Sequence, residues 1–515
     1  MCFGRIVGHR STHENNYLER VVGDDELLHA VALAVPRLLG ELARAFLGRA
    51  LALAVCVAAS SVARGRAAVD ARAAASRWLD DAIARGGVDL IDGARVADER
   101  AGSDRLGLAL THAPVERMEA YARVRWNETL HPSRYDATAP GGLGSALASM
   151  RSEHGNDDKM ALIVCLLYER YELGDRSAFA EYFRTMPGEF DTPTHWSDDT
   201  AKELRGSDTY EVDIVDEYNL LNTVWNALRV RVFDVYTDVF VGKAARSLYA
   251  LRWAWTVAHA RATRVSGKDG LALVPVIDMI QECGKDVDAD KTDIVDDEGF
   301  AVYDPHADEV VVYAKRDYAP GEELCERFGG WNNGESVQHL GYLPDVHTNS
   351  TRNCVLMVLT PEKKRNEEKV RKAGFDVPWR VCVPSAASES SLDMLSAYAE
   401  LASGRAVEIG GDGVPKNVRR DGVRDVLLAR LKRYPTSLEQ DDAALSTMRD
   451  SMREFAAALE RDDMQLLERE RVREKLRDMR RSALAVELRV REKTILNALI
   501  DRVAPAADEL VKDEL

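Results

Sequence analysis

The chain has 515 residues, too many for one ordinary core and enough for about two to four domains at roughly 150 residues each. Hydrophobic residues make up 46% and charged residues 30%, a globular balance rather than a disordered one. The formal charge of −17 argues against a nucleic acid partner, which normally needs a positive face. No run of 18 or more uncharged apolar residues offers a stable membrane span.

In chain order, the first feature is an uncharged, mostly apolar run from Ala50 to Ala63, preceded by Arg44 and Arg49 and closed by Ser60, Ser61, Val62 and Ala63. That is the order of charge, apolar stretch and small residues found in a signal peptide, although about 45 residues precede it where a few are usual. A plastid transit peptide or an amphipathic helix would read similarly. Residues 1–65 are therefore expected to be a targeting segment rather than part of the fold. The far end, Lys512-Asp513-Glu514-Leu515, reads as an ER-retrieval address. The two signals together point to the ER lumen, with the plastid as the alternative.

A helical pattern over 67–85, with Trp78, Leu79, Ala82 and Ile83 on one side, stops at Gly86-Gly87. Strands are expected near Val88–Ile91, Gly107–Thr111 and Tyr121–Trp126. Helical spacing then dominates from Gly141 to about Val265, in Lys159–Tyr171, Tyr210–Phe240 and Ser247–Thr263. Strand patterns return at Ala272–Ile277, Glu309–Ala314 and Glu323–Arg327. Beyond Thr351 the chain reads as mostly helical. Thr436-Ser437-Leu438-Glu439-Gln440 offers two overlapping capping-box frames, and Met464–Ile500 reads as a long amphipathic helix or helix pair.

The segment Leu273-Val274-Pro275-Val276-Ile277-Asp278-Met279, followed by Gly321-Glu322-Glu323-Leu324 and Phe328-Gly329, resembles the C-terminal half of a SET domain. The resemblance is to the branch of Rubisco lysine methyltransferases and actin-histidine methyltransferases. Further matches fall in the same order. Glu189-Phe190-Asp191-Thr192-Pro193 with Trp196, and Arg252-Trp253-Ala254-Trp255 through Arg261, resemble the branch's helical insertion. Asn333, Glu335 and Gly341-Tyr342 resemble its post-catalytic helix. Tyr434 to Asp441 and Arg489 to Leu496 resemble its C-terminal substrate-binding domain. The resemblance covers about 75–505. It implies an α+β chain: a β-rich SET domain over 66–348 with a helical insertion at about 145–260, then an all-α substrate-binding domain over 349–515.

It also implies methyl transfer from S-adenosylmethionine to a buried, neutral side-chain nitrogen of a protein substrate held by the C-terminal domain. Arg261 matches the arginine that meets the cofactor carboxylate, and Tyr342 the aromatic that packs on adenine. Asp278 opens the family's Asp-Met-x-Asn-His segment. Asp104, Leu106 and Gly107 fall on the loop under the cofactor. The departures cluster around the same pocket. The loop's first glycine is Arg105, where backbone passes close to a ligand. Asn-His-Ser is replaced by Gln281-Glu282-Cys283, which brings negative charge to the cofactor site. The catalytic tyrosine position holds Phe328. Two functions stay open: a protein methyltransferase with lysine or histidine as acceptor and impaired turnover, or a catalytically silent relative acting as a protein-binding module in the ER lumen.

No metal site is expected. The acidic stretch Asp286–Glu298 has Lys291 where a calcium loop wants glycine, and the histidines lack ligand spacing. The seven cysteines form no CxxC pair. In the family fold the segments carrying Cys283 and Cys325 pass near the pocket, so an oxidising lumen would permit a bridge. Lys363-Lys364-Arg365 and Arg477 with Arg480-Arg481 could seat an acidic partner or be exposed helix charge.

Overall fold

Two four-stranded sheets, one two-stranded pair and a set of helices make up the described residues before 345. In this computed structural model the described residues are 75–91, 94–98, 106–110, 114–135, 142–154, 158–282, 301–326, 331–344, 351–410, 415–416, 418, 421–459, 461 and 464–503; the side chains of 95–98, 106–110, 151–154, 281–282, 326 and 421 are outside the description. The expectations for 1–65, Asp104, Arg105, Cys283, the acidic stretch 286–298, Phe328 and the terminal tetrapeptide therefore fall outside the described residues. Those described belong to the unit Arg64–Leu515.

The first sheet has the order β1 (Val88–Leu90), β4 (Ala120–Arg125), β9 (Glu309–Tyr313), β8 (Ala301–Asp304), all antiparallel. The run Val310-Val311-Val312 is buried at its centre, as the β-branched preference for a packed pleat predicts. The second sheet has the order β2 (Ala94–Asp98), β3 (Leu106–Leu110), β10 (Glu323–Glu326), β7 (Gln281–Glu282), with β10 and β7 parallel. The expected strand Ala272–Ile277 is strand only at β6 (Leu271–Ala272), paired with β5 (Thr263–Arg264). Beyond it Val276 adopts φ 79° and the chain tightens into a 3-10 turn over Ile277–Met279. A positive φ breaks the extended run and is costly for a β-branched residue.

The insertion is helical as expected, in shorter pieces. Asp158–Leu167 passes into a π-helical turn over Tyr168–Leu173. The Tyr210–Phe240 pattern resolves into π turns at Thr209–Ile214 and Arg229–Phe233 on either side of the helix Val215–Leu228. The helix Leu248–Ala260 begins with Ser247 capping Ala250 N–H and buries Trp253 completely. One core runs from Ala75 to Cys325 through both sheets and these helices.

The C-terminal region is mainly helical, with Glu389–Ser403, Asp421–Leu431, Leu438–Leu459 and Leu466–Arg502. It also carries two short antiparallel pairs, β11 (Cys354–Leu359) with β12 (Trp379–Pro384) and β13 (Glu408–Ile409) with β14 (Pro415–Lys416). Of the two capping frames, the second forms in full: Gln440 N–H donates to Ser437 Oγ and Ser437 N–H donates to Gln440 Oε1. A separate core of Val355, Met357, Leu395, Leu427 and Leu496 fills this region. Trp196, Leu204 and Ile214 of the insertion pack with Val337, Ala485 and Leu488, so the last helix is also seated against the SET region.

That seating is strongly polar. Arg481, read as part of a seat for an acidic partner or as exposed helix charge, is buried and donates to Asp191 Oδ1 (3.1 Å), Phe190 O (3.0 Å) and His195 O (3.3 Å). Arg489 also reaches Glu203 of the insertion at 3.2 Å, while within the C-terminal region Arg489 and Lys493 meet on Asp441, at 2.8 and 2.6 Å. Arg430 donates to Gly206 O, and Tyr434 Oη donates to Glu492 Oε2 at 2.6 Å.

Candidate functional site

Three stretches far apart in sequence reach one end of the second sheet. β10 runs antiparallel to β3, with Glu323 opposite Ala109 and Leu324 opposite Leu108. Its far end therefore lies at the Leu106-Gly107 end of β3. β7 lies on the other side, with Gln281 opposite Cys325 and Glu282 opposite Glu326. Backbone positions 106–107, 281–282 and 325–326 thus share one sheet end. Sequence spacing could not show this, because the register of a parallel pair depends on the whole crossover.

The 3-10 turn packs against β3, and it carries Asp278. Arg261, at the C-cap of Leu248–Ala260, donates through Nη1 to Asp278 O (3.0 Å) and Oδ2 (3.2 Å). The Asp278 side chain is 1% exposed and that of Arg261 23%, so the pair has a buried anchor and a guanidinium that still reaches the surface. Burial pushes the Asp278 carboxyl up, against the pull of Arg261. Tyr182 is itself buried beneath the pair, and burial followed by the Asp278 charge drives its phenol well above the ordinary range. An arginine held by a buried aspartate, with its head kept partly in solvent, suits a carboxylate ligand.

Tyr342 is half-buried and follows Gly341, which ends the helix Asn333–Leu340 in the left-handed region at φ 72°. That helix starts with a complete capping box between Asn332 and Glu335. A side chain at Gly341 would put its Cβ 2.6 Å from the Asp191 backbone, so the glycine is demanded by both conformation and close approach.

The sequence reading missed the groups that tie these pieces together. Glu217 is buried in Val215–Leu228, accepting from Trp255 Nε1 (2.7 Å) and Gln338 Nε2 (3.0 Å). Burial pushes its carboxyl up. Trp255 stacks on His259 with centroids 4.3 Å apart, His259 stacks on His339 at 5.8 Å, and His339 meets Trp331 at 5.5 Å. Burial, then the charge of Lys159, brings both histidines down to about 4. The i, i+4 spacing of Trp255 and His259 was a legible hint of a helical pair; the partnership with His339 was not. Among the described residues no group of three or more His, Cys, Asp or Glu side chains could hold a metal. No helix there is long and apolar enough to cross a membrane.

Cys354 and Cys382 form a disulfide across β11 and β12. Cys325 on β10 is also disulfide-bonded.

No family model matches the chain. Over 220 residues, 42% of its length, it is 24% identical to the actin-histidine N-methyltransferase of Canis lupus familiaris, and over 191 residues, 36% of its length, 25% identical to that of Homo sapiens. These matches span about a third of the relatives, 35% and 30% respectively. Among solved structures, Rubisco LSMT bound to sinefungin and monomethyllysine aligns with a TM-score of 0.58 at 18% identity, covering 86% of this chain and 93% of that one. The SET domain of LSMT bound to methyllysine and AdoHcy aligns at 0.59 and 17%, covering 85% and 96%. The chain therefore has the SET fold of those enzymes, and its sequence resembles that branch of methyltransferases.

Proposed function

We propose that this SET-fold chain binds S-adenosylmethionine and is a protein methyltransferase with weak turnover, its acceptor a lysine or histidine side chain. The observation that carries the reading is the convergence of the ends of β3, β7 and β10 at one sheet end, with the Arg261–Asp278 pair on the turn packed against β3. When bound, the cofactor would supply an electrophilic methyl group on a sulfonium. Arg261 would hold its carboxylate, Asp278 would keep that guanidinium oriented, and the backbone at Leu106-Gly107 would border the adenosine. Tyr342 would pack on the adenine. The helical C-terminal region, over 349–515, is the proposed seat of the protein substrate.

Weak turnover is expected from the residues at positions 105, 282 and 328. A hydroxyl aligned with the reacting nitrogen is worth about 10² to 10³ in rate, and Phe328 has none. Arg105 in the cofactor loop and the negative charge of Glu282 beside the cofactor site would weaken cofactor binding besides. The same residues favour a second reading, a silent relative that only binds protein. An oxidising compartment, the ER lumen, is the proposed location. The Cys354–Cys382 bridge and the bonded Cys325 support it, since cytosolic thiols are kept reduced.

Calorimetric titration with S-adenosylmethionine tests the cofactor, and tritiated methyl incorporation into a protein extract tests turnover. Measurable heat with slow incorporation is expected. Heat without any incorporation, even after Phe328→Tyr, would favour the binding module. No heat at millimolar cofactor would remove the methyltransferase reading.

A further inference from the structure

We propose that His259 and His339 are positioning residues, a stacked pair that sets Arg261 and Tyr342 at one spacing for the cofactor. The inference rests on the cofactor-binding reading above and adds residues that the family resemblance did not single out. His259 lies two residues before Arg261, and His339 three before Tyr342. Each therefore sits in the last turn of the helix that delivers its site residue. Their rings lie nearly parallel, 13° apart with centroids 5.8 Å apart, and tryptophans flank the pair: Trp255 on His259 at 4.3 Å, Trp331 against His339 at 5.5 Å. Trp331 is three residues beyond Phe328 in the sequence.

The row cannot easily slide. His259 Nδ1 is 2.8 Å from Trp255 O; a carbonyl only accepts, so the proton is on Nδ1 and the ring plane is set. Glu217 braces the same two helices a second time, taking one hydrogen bond from Trp255 and one from Gln338, the neighbour of His339. Both rings are half-buried and, kept neutral by burial and Lys159, they stack without charge repulsion. A ring removed from the middle would leave a void between the two helix ends, and the distance from Arg261 to Tyr342 would no longer be defined. Small displacements of binding groups are costly in a site that works by orientation.

The test is calorimetric titration of the full-length protein with S-adenosylmethionine, in wild type, His339→Ala, His339→Phe and His259→Ala, beside thermal unfolding of each. Both alanine variants are expected to bind about 10- to 30-fold more weakly, and His339→Phe, which restores a flat ring, within about threefold of wild type. A purely packing role would lower the unfolding midpoint without this ring-dependent recovery of affinity. If wild type binds and the alanine variants bind equally tightly, the inference is overturned. If His339→Ala does not fold, His339→Leu against His339→Phe makes the same comparison, and equal affinities again overturn it. No binding by wild type would remove the cofactor reading itself, and the inference with it.

Discussion

Replacing Asp441 by asparagine should loosen the helix Leu438–Leu459 from the rest of the molecule. The Asp441 side chain is 1% exposed and takes Arg489 Nη2 at 2.8 Å, Arg489 Nε at 3.1 Å, Lys493 Nζ at 2.6 Å and Thr436 Oγ1 at 2.6 Å. Asparagine keeps the shape, but leaves two buried cations facing a neutral amide whose nitrogen can only donate. Lys493 keeps the carbonyls of Thr436 and Ser437, at 2.7 and 3.2 Å, and Arg489 keeps Glu203 at 3.2 Å, so the charges are not wholly stranded. Removing one partner of a buried pair costs about 3–5 kcal/mol, and these remaining acceptors place the value at the lower end, about 3 kcal/mol. That corresponds to about 150-fold faster local opening. Amide exchange of Leu438–Leu459 by mass spectrometry reads it directly. An acceleration below about fivefold, under about 1 kcal/mol, would refute the assignment of this cluster as the clamp. Acid should do what the substitution does. Burial pushes the Asp441 carboxyl up, but hydrogen bonds from Arg489, Lys493 and Thr436 outweigh it and hold the group below its ordinary value near 3.8. Its contribution is therefore present above that value and lost as pH falls through the depressed folded value.

Glu217 should behave oppositely: burial raises it above its ordinary value near 4.5, so stability falls as pH climbs from there to the raised folded value. Glu217→Gln should flatten that part of a urea-midpoint profile, and an unchanged slope would count against it. Opening the Cys354–Cys382 bridge, whose cysteines are 28 residues apart, should cost about 3–4 kcal/mol by loop entropy; an unchanged urea midpoint for the double serine variant would contradict this. Gly334→Ala would bring a Cβ to 1.9 Å from Thr209 Oγ1 and should cost about 1–3 kcal/mol by overpacking. Adding Thr209→Ala should recover most of it, since that hydroxyl is buried without a hydrogen-bond partner; a thermal melt of the double variant as low as the single one would show the clash lies elsewhere.

Much of the local structure was legible from the chain alone. The consecutive β-branched run Val310-Val311-Val312 read as a strand, and is one. The Ser437–Gln440 frame read as a helix start, because a capping box depends on residues three apart. The segment from Leu273 to Met279 pointed to a SET fold, which the structural likeness bears out. Yet that same segment was mistaken for continuous strand, since hydrophobicity does not reveal that Val276 takes a positive φ to bring Asp278 under Arg261. The basic run at Arg477 to Arg481 read as a seat for an acidic partner or as exposed helix charge. Arg481 is buried because its acceptors, Asp191, Phe190 and His195, lie about 290 residues earlier in the chain. The pairing of β3, β10 and β7, the row of rings from Trp255 to Trp331, and the cations on Asp441 are all of this second kind. Local spacing determines which helices and strands can form, since their hydrogen bonds and periodicity are short-range. Burial of charge and strand register depend on what the chain brings alongside from afar, and only the folded structure decided those.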